Sequence, residues 1–347
     1  MEKHIKYMQR CLQLAELGKS LVSLNPMVGA VIVHNDIVIG EGFHERFGEP
    51  HAEVNAINMV LKNFKNADEL LLKSTLYVSL EPCSHTGKTP PCTDLIIKHK
   101  IPEVQIACLD PFSKVNGKGM AQLKESGIKV EIGILEEEAK ELNKRFFTYH
   151  NFQRPYIIIK FAESADGFMG SVSGESFQFS NNITSRLTHK WRSEEKAILV
   201  GANTVAMDNP ELTTRTWPGK NPIRIIIDKN LSLSNTANVF NGAVKTYIFN
   251  KSEMKTEGNL NFVSLDWNLY PVQFLLYQLY LLEINSVIIE GGAKTINWFL
   301  DSEIWDEARI ITSTMYLKNG LKSPKINGIL KQAIKLKSDT IRIYNHY

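Results

Sequence analysis

The sequence predicts two different α/β domains in tandem, on three observations: its length, its alternation of β-rich and helical stretches, and a fresh start near residue 150. A chain of 347 residues exceeds the roughly 100–200 residues of one ordinary domain. In the first part, β-rich runs at 28–33, 75–79, 104–107 and 128–132 alternate with helical patterns over 3–19, 52–64, 93–99 and 135–147. That alternation is the mark of layered α/β structure with at least one parallel crossover. The fourth helix is charged and amphipathic, and the polar aromatic stretch Tyr149-His150-Asn151-Phe152-Gln153-Arg154 follows it, before Pro155. The expected domains are therefore 1–150 and 151–347.

The second part restarts with an apolar strand at 156–161, followed by strand candidates at 197–200, 223–228, 246–249, 286–290 and 310–313. Helices are expected over 184–193, 271–283 and 295–300. Continuous Ile/Val/Leu runs such as 223–227 suit strands covered on both faces. Neither part repeats the other.

Composition narrows the function classes. Hydrophobic residues are 43% and charged residues 22%, values of ordinary globular chains that exclude fibre, linker and low-complexity readings. The 40 basic and 37 acidic residues leave a net charge of +3, a weak electrostatic case for wrapping nucleic acid. Charged residues interrupt the stretch from Met1 to Ser20, unlike a signal peptide, and no later run approaches the ~18 apolar residues of a membrane span. A cytoplasmic protein without nucleic-acid or membrane partners is expected. Four cysteines are too few for a disulfide framework, so clustered thiols read as metal ligands or catalysts.

The strongest chemical signal is His51-Ala52-Glu53, followed by Pro82-Cys83 and Pro91-Cys92. One imidazole and two thiolates make three ligands for Zn²⁺ and leave a fourth position for water, as a catalytic zinc site requires. Glu53, two residues after the histidine, is then free to carry protons between that water and the ring, the division of labour in zinc deaminases, with protonation of the exocyclic nitrogen letting ammonia leave. Taken singly, these residues would read as buried cysteines and a helix-capping histidine. A purely structural site would want a fourth protein ligand, and neither Cys11 nor Cys108 offers one convincingly. Nucleic-acid deaminases commonly carry Pro-Cys-x-x-Cys, whereas eight residues, Ser84 to Pro91, separate Cys83 from Cys92 here. Rich in hydrogen-bond donors, that insert could meet a polar substrate.

Two phosphate motifs fail inspection. Gly87-Lys88-Thr89 mimics the end of a P-loop, but the earlier glycine position is Pro82. Gly117-Lys118-Gly119 begins a dinucleotide fingerprint whose third glycine position is Gln122. It reads instead as a turn before a helix, with Lys118 still able to meet phosphate.

On Asn25-Pro26-Met27-Val28-Gly29, His51-Ala52-Glu53 and the run Glu81 to Cys92, the sequence resembles the bifunctional riboflavin-biosynthesis deaminase/reductase family. In the second half the matching stretches are Arg154-Pro155-Tyr156 with Lys160 and Asp166-Gly167, Gly174-Glu175-Ser176, Gly201 to Val205 with Asp208-Asn209-Pro210, and Ile289-Glu290-Gly291-Gly292. The resemblance covers nearly the whole chain and weakens after about Ser313. It implies a cytidine-deaminase-like three-layer α/β domain followed by a dihydrofolate-reductase-like α/β domain.

It further implies two consecutive steps: zinc-dependent deamination of a diaminopyrimidinone ribosylamino 5′-phosphate, then NADPH-dependent reduction of its ribosyl group to ribityl. Carried over, Asn25, His85, Lys88 and Thr89 would hold the pyrimidine or its ribose phosphate. In the second domain Ser176, Arg192, Leu212, Arg215 and Glu290 would bind the phosphorylated substrate, with Lys160 assisting opening of the sugar ring. Ala162, Gln178, Thr204, Asp208, Gly292, Ala293, Lys294, Thr295 and Ile296 would surround NADPH, the amides after Gly291-Gly292 seating its phosphates. The family often has Trp at the position of Gln178, a change that alters cofactor stacking, and Asp at the position of Asn209. A homo-oligomer formed through the reductase half is also implied. Two other readings stay open: a nucleic-acid-editing deaminase with an RNA-binding second domain, and a non-catalytic zinc scaffold.

Overall fold

A computed structural model describes residues 2–19, 21–22, 24–85, 90–112, 115–171 and 177–346. The chain divides into two compact units, Met1–Phe152 and Gln153–Tyr347.

Unit 1 runs α1 (Glu2–Glu16), β1 (Gly29–His34), β2 (Ile37–Phe43), α2 (Ala52–Asn63), α3 (Ala67–Leu71), β3 (Thr75–Val78), α4 (Cys92–Lys98), β4 (Glu103–Ile106), α5 (Lys118–Glu125), β5 (Lys129–Ile132), α6 (Glu136–Leu142) and α7 (Lys144–Phe152). Its sheet has the order β2-β1-β3-β4-β5. The first three strands in that order pair antiparallel and the last three parallel. The β1–β2 hairpin turns on Asn35 and Asp36, both at positive φ (48° and 65°), as a two-residue hairpin loop requires. Alternation along β1 builds three layers: Ala30 and Ile32 join Ala56, Ile57 and Val60 of α2, while Val31 and Val33 join Met8, Cys11 and Leu14 of α1.

Two features of this unit differ from the sequence reading. Strand β2 is not among the strands that the sequence predicts, because Gly40 and Gly42 interrupt its apolar run. They serve packing: a Cβ on Gly42 would lie 2.4 Å from the Ala52 carbonyl oxygen, so α2 lies directly on this strand. The single helix expected over 135–147 is two helices, broken at Asn143. The Asn143 amide turns to the Met27 backbone, accepting its N–H at 2.8 Å and donating to its carbonyl at 2.8 Å.

Unit 2 runs β6 (Tyr156–Glu163), β7 (Phe168–Gly170), α8 (Asn182–Glu194), β8 (Ala197–Gly201), α9 (Ala202–Asp208), β9 (Ile223–Ile227), β10 (Thr246–Asn250), β11 (Lys255–Glu257), β12 (Leu260–Ser264), α10 (Pro271–Leu281), β13 (Ser286–Ile289), α11 (Ala293–Asp301), β14 (Glu307–Thr312), β15 (Leu321–Lys322), β16 (Ile329–Leu336) and β17 (Asp339–Asn345). The main sheet has the order β11-β12-β10-β9-β8-β13-β6-β14-β17-β16. From β12 to β14 the strands are parallel, and the pairs at both ends are antiparallel. Both faces are covered, as parallel strands demand. Ile157, Ile159 and Phe161 of β6 pack with α10 and α11, and Tyr156 and Ile158 pack with Trp191 of α8. The hairpin β16–β17 had no strand signal because β16 is exposed along most of its length, which removes the alternation that marks a half-buried strand.

Candidate functional site

In unit 1, element termini deliver the donors. His51 caps α2 in extended conformation (φ −72°, ψ 166°), and its carbonyl accepts the Asn55 N–H at 3.1 Å. Cys92 opens α4. Cys83 follows β3, its carbonyl accepting the backbone N–H of Thr93 at 3.2 Å. His51 Nδ1 lies 3.3 Å from Cys92 Sγ and 3.6 Å from Cys83 Sγ, and the three donor atoms all lie within 4.8 Å of one another.

This set fits zinc. A tetrahedral ion with ordinary Zn–S and Zn–N lengths has N···S edges of about 3.6 Å. Cys11 and Cys108 point elsewhere, to the Tyr77 and Ser79 carbonyls at 3.4 and 3.5 Å, so three protein donors converge among the described residues.

The three donors share protons among themselves. A hydrogen bond from Cys92, with help from His51, lowers the Cys83 thiol, while Cys92 is held up by that same bond and by burial. His51 is raised to about 8, mainly by its bond to Cys83. Glu53, in the first turn of α2, is 3% exposed, and burial raises its carboxyl above the usual range, as suits a group that must hold and release a proton.

The surroundings include a residue that the sequence reading missed. His44 is buried, meets the His51 ring edge-on at 5.3 Å between centroids, and its Nε2 pairs with Asn25 Nδ2 at 2.9 Å. Burial lowers its pKa, which favours the neutral ring. Its one sequence signal is a position seven residues before His51. Asn25 thus reaches the candidate metal donors through His44, which stands between it and His51. His85 is half-buried and edge-on to Phe112 at 6.0 Å. Its buried Nδ1 has no hydrogen-bond partner among the described residues. Lys88 and Thr89, with the whole Gly87-Lys88-Thr89 motif, lie outside the described residues, as does Ser176.

In unit 2, Asn181 starts α8 by accepting the N–H groups of Ile183 and Thr184 at 2.9 and 3.1 Å, the preferred N-cap geometry. That helix carries Arg192 to the end of β13. There Arg192 Nε and Nη2 each donate to Glu290 at 2.8 Å, and Lys160 Nζ donates at 3.2 Å. Burial alone would raise the Glu290 carboxyl, but the two cations outweigh it and hold the group at about 2. The Arg192 fork is therefore spent inside the protein, with Nη1 on the Thr213 carbonyl at 3.3 Å. Arg215 is exposed and pairs with Glu211 at 3.3 Å.

Two more expected residues turn inward. Leu212 is 3% exposed in the core with Trp191 and Val205, at positive φ (55°), so only its main chain can meet a ligand. Ile296 is likewise core. Arg224 of β9 was also missed: fully buried, it donates to the Glu211 carbonyl at 2.9 Å, the Val239 carbonyl at 3.1 Å and Asn241 Oδ1 at 2.9 Å.

The neighbouring strands β8 and β13 each lead into a helix capped by a glycine, Gly201 for α9 and Gly292 for α11. Thr204 Oγ1 accepts the Gly292 N–H at 2.9 Å. A Cβ on Gly201 would lie 2.5 Å from Thr295 Oγ1. This cradle suits a dinucleotide phosphate, since first-turn amides lack intrahelical partners and favour anions. Ala293, Lys294 and Thr295 line that turn, Ala162 is half-buried on β6, and Gln178 and Asp208 are exposed. Asn209 sits left-handed (φ 38°) at the end of α9, a conformation asparagine tolerates well.

The family described as RibD C-terminal domain matches residues 155–341, and the cytidine and deoxycytidylate deaminase zinc-binding region matches residues 1–108. Riboflavin biosynthesis protein RibD of Aquifex aeolicus is 39% identical over 91% of this chain and 88% of its own length. The Escherichia coli protein of that name is 35% identical over 87% and 85%. Among solved structures, the diaminohydroxyphosphoribosylaminopyrimidine deaminase/5-amino-6-(5-phosphoribosylamino)uracil reductase of Thermotoga maritima superposes with a TM-score of 0.90 at 34% identity, covering 100% of this chain and 99% of that one. Acinetobacter baumannii RibD gives 0.88 at 30% identity over 100% and 99%.

Proposed function

This chain belongs to the RibD family of riboflavin-biosynthesis proteins, and from that premise we propose how its residues divide the work. The chain is a bifunctional deaminase and reductase of a small-molecule substrate, with a zinc-binding deaminase domain. One observation carries the deaminase assignment: three metal donors converge beside a buried carboxyl.

His51, Cys83 and Cys92 would hold the zinc, which when bound would supply an activated water for attack on the amino-bearing ring carbon. Glu53 would take up a proton released by the attacking water and return it to the exocyclic nitrogen, so that ammonia could leave. Asn25, His85, Lys88 and Thr89 hold the pyrimidine and its ribose phosphate, and neutral His44 keeps Asn25 aimed.

In the reductase half, NADPH supplies the hydride when bound. The amides of Ala293 and Lys294 at the start of α11 would seat its phosphates, with Gly292 and Thr295 shaping that turn through the Gly292 N–H on Thr204 and the Thr295 N–H on the Gly292 carbonyl. Ala162, Asp208 and Gln178 flank the cofactor, and Ile296 supports it from the core. Arg215 and Ser176 take the substrate phosphate, with the Leu212 main chain alongside. Glu290 and Arg192 hold Lys160 so that its ammonium assists opening of the ribosyl ring. No helix among the described residues is long and apolar enough to cross a membrane. We place the protein in the cytoplasm, without nucleic-acid partners, as a homo-oligomer formed through its reductase half.

The test is mass-resolved product analysis of zinc-loaded protein given the diaminopyrimidinone phosphate, without and then with NADPH. Exchange of one amino group for oxygen, followed by addition of two hydrogens only with NADPH, is the expected result. No reaction in verified metal-bound protein overturns the substrate assignment.

A further inference from the structure

We propose that helix α5 braces the thiolate half of the metal centre, with Glu81, Gly119 and Gln122 as its attachments. The proposal rests on His51, Cys83 and Cys92 being the zinc ligands. Glu81 stands two residues before Cys83 and is 3% exposed. Its carboxylate accepts the N–H of Gly117 at 2.9 Å, of Met120 at 3.1 Å and of Asp110 at 3.3 Å. The first-turn amides of a helix have no partner within it, and a carboxylate there also meets the favourable end of the helix dipole. Glu81 thus ties the start of α5 to the segment that carries Cys83.

The second attachment is steric. A Cβ on Gly119 would lie 2.1 Å from the Pro82 carbonyl oxygen, so the first turn of α5 rests on the peptide that leads into Cys83, and only glycine permits that approach. The third reaches the other thiol. Gln122 accepts the Thr93 hydroxyl at 2.9 Å and donates to Asp94 Oδ1 at 2.9 Å, the two residues after Cys92.

One helix therefore holds both cysteine segments, and Thr93 closes the loop by donating its backbone N–H to the Cys83 carbonyl at 3.2 Å. Ligand separation is set by these contacts before any metal arrives, and partners of this kind typically contribute 10–100-fold to metal affinity. The residues Gly117-Lys118-Gly119 and Gln122, which read in sequence as an incomplete dinucleotide fingerprint, have this bracing role instead. None of the three attachments is a catalytic residue; they are positioning residues that act through Cys83 and Cys92.

The experiment is zinc competition against a chromophoric chelator on the full-length protein, comparing wild type with Glu81→Gln, Gly119→Ala, Gln122→Ala and the control Lys124→Ala. Cobalt spectra and metal-free melting curves accompany it. We expect one zinc per wild-type chain, and affinity weakened roughly 10–100-fold in the first three variants and unchanged in Lys124→Ala. The thiolate-to-cobalt charge-transfer band should shift in the same three. Gln122→Ala, the mildest, should keep the wild-type metal-free melting temperature and reductase rate, and it decides the matter if Glu81→Gln does not fold. Wild-type affinity and cobalt bands in Gln122→Ala and Gly119→Ala overturn the brace while leaving the ligand assignment intact. A wild-type chain without zinc overturns the ligand assignment, and the brace with it.

Discussion

Arg192 and Glu290 are joined at two points, Nε and Nη2 each donating to one carboxylate oxygen at 2.8 Å, with Lys160 as a third partner at 3.2 Å. The planar guanidinium fork matches a carboxylate in this way, and lysine cannot reproduce it. The cluster keeps one carboxylate charged among two cations inside the reductase unit, so removing the anion leaves both cations uncompensated.

Stability should therefore depend on pH in a defined window. Glu290 is held at about 2, below its ordinary value of about 4.3. A depressed carboxyl contributes stability above the unfolded value and loses it as pH falls through the folded one. Urea unfolding should show that contribution intact above pH ~4.5 and fading toward pH ~2. All five tryptophans, at positions 191, 217, 267, 298 and 305, lie in this unit, so their fluorescence reports it selectively. Glu290→Gln should cost roughly 3–5 kcal/mol at pH 7 and converge with wild type in acid. Parallel pH profiles for the two proteins would refute the assignment.

Glu53→Gln should retain zinc and lose deamination by roughly 10²–10⁴-fold, because the amide cannot move the proton between water and leaving nitrogen. Reduction of separately supplied aminouracil should proceed at the wild-type rate. Removing zinc with a chelator should give the same split. Retained deamination in the metal-loaded variant would remove Glu53 from the reaction.

Gly201→Ala places a Cβ 2.5 Å from Thr295 Oγ1. Overpacking of this sort costs about 1–3 kcal/mol, and a raised KM for NADPH should accompany the loss. In thermal melts without cofactor, adding Thr295→Ala should recover much of the stability, whereas Thr295→Ser, which keeps the oxygen, should not. Equal recovery by both would show that the contact is not the cause.

Arg224→Met should lower the stability of the reductase unit by about 2–4 kcal/mol, since three acceptors lose a buried cationic donor. Because one of them is the Glu211 carbonyl, four residues before Arg215, the KM for the phosphorylated substrate should rise while kcat falls little. Arg224→Lys should be intermediate, keeping charge without the fork. A fall in kcat alone would argue against a role in placing the loop.

Much of this protein is legible locally. Periodicity revealed the parallel strands around 156–163, 197–201 and 223–227, because residues buried on both faces leave continuous Ile/Val/Leu runs. Motif spacing singled out His51, Glu53, Cys83 and Cys92, since His51, Glu53 and Cys92 sit at helix starts and Cys83 stands in a Pro-Cys step on the loop after β3. The signal failed where burial and sequence disagree: β2 hides behind glycines that α2 needs, and β16 is too exposed to alternate.

By itself the sequence determined the two α/β domains, the residue types of the candidate metal site and the family they resemble. Only the tertiary structure decided how charged and polar groups are spent. Arg192 answers Glu290 across 98 residues, Asn143 clamps Met27 across 116, and Glu81 reaches α5 across 36 and 39. Periodicity reports a residue's relation to its own helix or strand over a few positions. Which distant donor meets a buried carboxylate is set by how the layers stack, since a buried polar group must find its partner wherever the fold brings one.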